Sequence, residues 1–191
     1  MLLWEGLRMK KIVRCGIVLF ILLFALATAE GAGRVEAIVK GLQLKAHPEG
    51  GWFSEVYTSP VVFPTPNGSR ALSGSIYYLL GKQEKSSFHE IDCDEIWYYH
   101  EGCGMRVYIL SADGQAAEVR LGCDISQHES PMVVVPAGSI FAAENIDPEG
   151  YTLISCLTTP KFRYEGWRLV PKAELLLKYP GSGALIQHFA D

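Results

Sequence analysis

An all-β barrel or sandwich is the fold class this sequence predicts, and three observations predict it. Short apolar–polar alternations recur along the chain at near-regular spacing, each bounded by turn residues. Glycine and proline, 19 and 10 residues, are spread throughout rather than gathered in one linker. Aromatics are plentiful, with 8 Phe, 9 Tyr and 4 Trp. No internal repeat and no second domain boundary interrupts the pattern.

The elements follow in chain order. Val35, Ile38, Val39 and Leu42 fall at helical spacing, so residues 34–40 predict a short amphipathic helix that Gly41 can stop. His47-Pro48-Glu49-Gly50-Gly51 is a turn cluster, explained by glycine's dihedral freedom or else by contact with a ligand; the turn is the simpler reading. Residues 52–58 alternate as a strand. Residues 59–69 hold three prolines and Asn67-Gly68, which predicts a loop. Strands are expected at 74–80, 88–91, 95–99, 105–110, 116–121, 132–135, 140–143 and 151–158. Asp113-Gly114 supplies a turn between two of them. Residues 171–178 predict a helix with Pro171 in its first turn.

The N-terminus reads as a targeting segment. Arg8, Lys10, Lys11 and Arg14 precede an apolar run from Cys15 to Leu26, and Ala27-Thr28-Ala29 completes a small-x-small cleavage pattern. Either Met1 or Met9 can serve as the start. The alternative is a membrane anchor, for which the run is short of the ~20 residues a span needs. Residues 1–29 are thus expected to be a signal peptide and residues 30–191 a single exported domain, periplasmic or secreted, that meets the membrane only through the segment before cleavage. Cleavage removes four basic groups and one acid, Glu5, so the net charge of −4 becomes −7. An acidic domain without a basic run is a poor nucleic-acid binder. Four cysteines remain, Cys93, Cys103, Cys123 and Cys156, with no C-x-x-C spacing. Export permits a disulfide among them, and the spacing names no pair.

The residues that could carry chemistry cluster between 88 and 102. Residues two apart on a strand share a face, so Glu95, Trp97 and Tyr99 point one way and Ile96 and Tyr98 the other. A Glu on an aromatic lining is costly without a partner or ligand, and His89 on the preceding segment is the candidate partner. That pair reads equally as a structural hydrogen bond and as a site. Glu55 and Tyr57 alternate with Val56 and are expected inside the barrel near His89, with Tyr77 on the next strand. His100 and His128 sit in polar, turn-like surroundings and His188 carries no pattern. No Ser–His–Asp order and no phosphate loop is present.

These segments resemble the paired motifs of the cupin barrel. His89, Glu95 and Gly102 fit the first motif, and Pro136, Gly138 and Asn145 fit the second. Ile91 and Phe141 stand where two further histidine ligands belong, so only His89 and Glu95 remain of four, and no metal or other cofactor is expected. A closer resemblance is to the DUF985 (cupin-5) subfamily. It rests on Leu44-x-x-His47-Pro48-Glu49-Gly50-Gly51-Trp52-Phe53-x-Glu55-x-Tyr57, on Ser75 to Leu80, on His89-x-x-Asp92-x-Asp94-Glu95-Ile96-Trp97, on Val133 to Gly138 and on Leu175-x-x-x-Tyr179-Pro180. The resemblance covers residues 36–188. It implies a double-stranded β-helix, or jelly roll, with a pocket at one mouth, and a homodimer. The apolar face of the first helix, which needs a partner surface, points to the same assembly.

Two functions follow as expectations. One is binding of a small polar, sugar-like ligand by Glu55, Tyr57, Tyr77, His89, Glu95, Trp97 and Phe141. The alternative is a metal-independent isomerase or epimerase with His89 as general base, its basicity raised by Glu95. Missing ligands argue against a third, a metal-dependent dioxygenase.

Overall fold

In the computed structural model, which describes residues 33–65, 68–111 and 115–189, two six-stranded sheets face each other. A helix, α1, spans residues 33–41. The strands are β1 (Lys45–Ala46), β2 (Trp52–Thr58), β3 (Val62–Thr65), β4 (Gly68–Ala71), β5 (Gly74–Leu80), β6 (Lys85–Ile91), β7 (Asp94–Gly102), β8 (Met105–Leu110), β9 (Ala116–Leu121), β10 (Glu129–Ser130), β11 (Met132–Val135), β12 (Ile140–Asn145), β13 (Thr152–Thr159) and β14 (Trp167–Leu169). Helices α2 (Lys172–Lys178) and α3 (Gly183–Phe189) close the chain. The first sheet runs β1-β2-β5-β13-β7-β11 and the second β10-β9-β8-β12-β6-β14. All pairs are antiparallel except β10 with β9. Neighbours in space are mostly distant in sequence, which makes this a jelly roll.

Period-two alternation explains which residues enter the barrel. Ile76, Tyr78 and Leu80 of β5, Trp97 of β7, Met105 and Val107 of β8 and Ile154 and Cys156 of β13 pack together between the sheets. The middle of the second sheet is buried on both faces. On β12, Phe141 and Ala143 face the barrel, whereas Ile140 and Ala142 face a second apolar cluster outside it. There they meet Leu175 and Tyr179 at the end of the chain, with Ile186 and Phe189 of α3. Glu174 in the first turn of α2 and Lys178 in its last suit the helix dipole. Arg168 ties β14 to β6 and α2 through Glu90 at 2.6 Å and Glu174 at 2.8 Å.

A bulge on β6 decides the site. Phe141 pairs with His89 but Ala143 pairs with Ser86, so β6 spends one residue more than β12 over that step. The extra residue lets Ser86 and His89 both turn inward, while Phe88 joins the outer cluster.

Three expectations change. The proline-rich stretch at 59–69 is not all loop: β3 and β4 form a hairpin within it. Pro64 is tolerated there because a two-stranded ribbon leaves half its amides unpaired. β14 and α3 were not expected. The segment read as a signal peptide lies outside the described residues, and no helix among those described is long and apolar enough to cross a membrane. The four cysteines are all free thiols, with Cys93 and Cys156 buried.

Candidate functional site

A pocket opens at one end of the barrel, with about 70 Å³ available to the centres of water molecules. At ~10–15 Å³ per water, that is room for a handful of waters or a small organic molecule. Its walls are mainly apolar, with Phe53, Ile76, Tyr78, Ile91 and Trp97 among them, and its acidic and basic side chains are His47, Glu49, His89 and Glu95 inside and Lys161 and Glu55 at the mouth.

Glu49 is the centre of the polar floor. The turn from His47 to Gly51 places it there. Gly50 and Gly51 have φ of 112° and 73°, and a Cβ on Gly50 would overlap the Lys85 carbonyl oxygen. Glycine is therefore required, and the tight turn drives the Glu49 carboxyl into the barrel. Its Oε1 accepts from Ser86 Oγ at 3.1 Å and its Oε2 from Trp167 Nε1 at 3.3 Å. His89 Nε2 lies 3.2 Å from the same Oε2, and His47 Nδ1 lies 3.7 Å from it. The Glu49 amide donates to His47 Nδ1 at 3.3 Å, so that nitrogen carries a lone pair.

His89 is committed on both nitrogens. Nδ1 donates to the Ser87 carbonyl oxygen at 2.7 Å, which fixes its proton there, and Nε2 faces Glu49. The ring packs on Phe141 with centroids 4.0 Å apart. Burial pushes the Glu49 carboxyl up, against the opposing influence of His47, Ser86 and Trp167. Burial likewise holds the His89 and His47 imidazoles below the usual histidine range. Burial thus shifts Glu49 toward its neutral acid and His89 toward its neutral ring, and at 3.2 Å the protonation of one bears on that of the other.

Glu95 differs. It is 9% exposed and has no ion-pair partner among the described residues. Burial first, and then the Glu49 charge, push its carboxyl up to about 7. His89, the Trp97 indole and the Cys156 thiol pull the other way without prevailing. Trp97 Nε1 lies near enough to favour the Glu95 anion, but it is fully buried and makes no hydrogen bond of normal geometry.

The expected site residues divide accordingly. His89, Glu95 and Trp97 are brought together in the pocket. His89 takes Glu49, rather than Glu95, as its hydrogen-bonding partner. Phe141 lies behind the His89 ring and supports it. Glu55 and Tyr57 belong to the mouth and not to the interior: the Glu55 side chain is 61% exposed and pairs with Lys161 at 3.0 Å, and Tyr57 is 49% exposed. A β-bulge between them loosens β2 where it leaves the barrel. Tyr77 faces outward, edge-on to His100 with centroids 6.0 Å apart, because alternation on β5 gives the inward places to Ile76 and Tyr78. Trp167 is a site residue that sequence reasoning missed, and His47 and Glu49 enter the site through the turn for which ligand contact was the alternative reading. A charge set between a histidine and two glycines was the available signal for Glu49, since a turn alone does not need it. Trp167 gave none, because its strand has only three residues.

The donors do not fit a metal centre. Ile91 faces the pocket and Phe141 packs against His89 at the positions where further ligands would stand, and no group of three or more His, Cys, Asp or Glu among the described residues is arranged to hold a metal ion.

Comparison with known proteins agrees with this architecture. The model of the Cupin superfamily (DUF985) matches residues 36–170. The uncharacterized protein YML079W of Saccharomyces cerevisiae is 30% identical over 151 residues, covering 71% of this chain and 75% of the relative. A solved Shewanella oneidensis protein is 34% identical with a TM-score of 0.76, covering 82% of this chain and 96% of that one. A hypothetical protein from Leishmania major is 30% identical with a TM-score of 0.75, covering 81% and 97%. Oxalate decarboxylase of Bacillus subtilis, at 17% identity and a TM-score of 0.50 over 76% of this chain and 37% of its own, shares the fold alone. With a mouth pocket, an ordered set of matching motifs and relatives along most of its length, the chain belongs to the DUF985 family of the cupin superfamily.

Proposed function

We propose that the barrel pocket binds a small, neutral, hydroxyl-bearing ligand, sugar-like in its chemistry. The observation that carries this reading is Glu95, a buried carboxyl at the pocket with no cation paired to it among the described residues. A buried carboxylate without a cation is costly, and the Cys156 thiol and Trp97 indole beside Glu95 offset that cost only in part. The neighbouring Glu49–Ser86–Trp167–His89 network is satisfied within itself, and Glu95 stands apart from it. A hydroxyl suits the place, because it can donate to Glu95 and accept from the Trp97 N–H at once. The apolar walls and few polar groups are the usual make-up of a small-molecule site.

Amide NMR titration with glycerol, dihydroxyacetone, glyceraldehyde and glucose tests the reading. At least one should shift resonances around the pocket, and Glu95→Gln should weaken that binding about tenfold or more. No shift from any of them at concentrations up to about 50 mM, far above a millimolar Kd, overturns it.

The alternative of an isomerase with His89 as general base is less well supported, because both His89 nitrogens are already engaged. Export and dimerisation belong to the same proposal. Half-exposed Met132 and Val134 on edge strand β11, beside Tyr98, offer an apolar surface for a second copy. Protein from the native host is expected to begin near Glu30 by intact mass and to show a dimer mass in light scattering. A start at Met1 or Met9, or a monomer at tens of micromolar, counts against the respective part.

A further inference from the structure

We propose that the pocket moves protons on small hydroxycarbonyl compounds, with Glu95 taking the proton from the carbon beside the carbonyl and the Trp97 N–H holding the oxygen that becomes negative. This rests on the ligand-binding reading above and names the substrate class and the chemistry of that same site.

Commitment of the other groups is what singles out Glu95. His89 uses Nδ1 on Ser87 and Nε2 on Glu49. Glu49 accepts from Ser86 and Trp167 as well. Among the described residues Glu95 has neither an ion pair nor a place in that network; the Cys156 thiol and the Trp97 indole are the polar groups beside it. It lies two residues from Trp97 on one strand, and the two share the inward face of β7. A base and a buried donor, which favours the Glu95 anion without making a hydrogen bond of normal geometry, therefore stand side by side in the pocket lining. Proton abstraction next to a carbonyl needs these two elements: a base for the C–H and a donor for the developing enolate oxygen. Apolar walls strengthen that donor's effect by lowering the local dielectric. Burial and the Glu49 charge push Glu95 up to about 7, so it is a stronger base than an ordinary carboxylate and still substantially ionised near neutrality.

The step balances without an oxidant or a co-reactant. The C–H bond breaks and its proton goes to a Glu95 oxygen. The electron pair forms the carbon–carbon double bond of an enediolate, and the carbonyl π pair moves to oxygen. Return of the Glu95 proton to the neighbouring carbon, with transfer of the hydroxyl proton between the two oxygens, gives the isomeric hydroxycarbonyl. Return to the original carbon regenerates the starting compound. The pocket's small volume limits the reacting part to about three or four carbons with their oxygens.

Dihydroxyacetone in deuterium oxide near neutral pH, followed by proton NMR, is the test. The full chain should replace methylene hydrogen by deuterium and form glyceraldehyde at least about tenfold faster than buffer. Glu95→Gln should bring the rate down to that of buffer. Trp97→Phe should lower it about tenfold or more while leaving dihydroxyacetone affinity within about threefold, since its donor acts mainly on the charged intermediate. A thermal melt of each variant separates these losses from unfolding. Exchange that persists in folded Glu95→Gln overturns the proposal. So does dihydroxyacetone that binds without exchange, or fails to bind where glycerol or glucose does, and both results leave the ligand-binding reading standing. Binding of none of the compounds removes both.

Discussion

Glu95→Gln should raise the unfolding free energy at pH 8 by about 1–3 kcal/mol while weakening ligand binding. The reason is proton linkage. The Glu95 carboxyl is raised from 4.5 to about 7 in the folded chain. Between those values the native protein holds a proton that the unfolded chain has released. This contribution therefore favours folding least at high pH, and stability falls as pH rises through about 7. The full shift corresponds to about 3 kcal/mol, and loss of the Trp97 and Cys156 contacts reduces the net gain. Glutamine cannot ionise, so the slope it removes lies between about pH 4.5 and 7. His89 acts with the opposite sign. Its imidazole is held below 6.5, so stability is lost as pH falls below 6.5 and the unfolded chain alone takes up the proton. Urea unfolding of both proteins from pH 5 to 9 resolves the two contributions. Parallel curves for Glu95→Gln and the parent would show that Glu95 is solvated and titrates normally. A gain in stability with a loss of binding would mark a group kept for function at a cost to the fold.

His89→Ala is the change expected to cost most, about 3–5 kcal/mol. It leaves Glu49 buried with one partner fewer and opens a cavity against Phe141. A double-mutant cycle with Glu49→Gln isolates the pair. The two losses should fall short of additivity by about 1 kcal/mol or more, because the partners contact each other at 3.2 Å. Strict additivity would mean that this contact contributes nothing and that packing alone carries the loss.

Much of the barrel was legible because its strands are long enough to show a period and are fenced by turns. Trp52–Thr58, Gly74–Leu80, Met105–Leu110 and Ala116–Leu121 have the bounds that alternation indicated. The hairpin at Val62–Ala71 was hidden by its prolines, which argue against a strand unless the backbone is at an edge. The three-residue β14 is too short for any period to show. The site was half legible for related reasons. His89, Glu95 and Trp97 lie on strands whose alternation places them. Glu49 owes its position to a turn that glycine alone permits, and Trp167 reaches it across 118 residues. Such long-range pairing leaves no local signal. The outward direction of Tyr77 was decided by which of two adjacent tyrosines met the barrel, and the sequence Tyr77-Tyr78 does not distinguish them.

The family match ends at residue 170, but the apolar cluster on the outer face of the second sheet takes Leu175, Tyr179, Ile186 and Phe189 from beyond it. Those side chains cover Phe88, the immediate neighbour of His89, along with Leu110 and Ile140. A chain cut at the motif boundary would bare a greasy sheet and unsettle the strand that holds the pocket's histidine. Residues 171–189 are thus a structural cover for the barrel, and the shortest piece that can be expected to keep its pocket runs through Phe189.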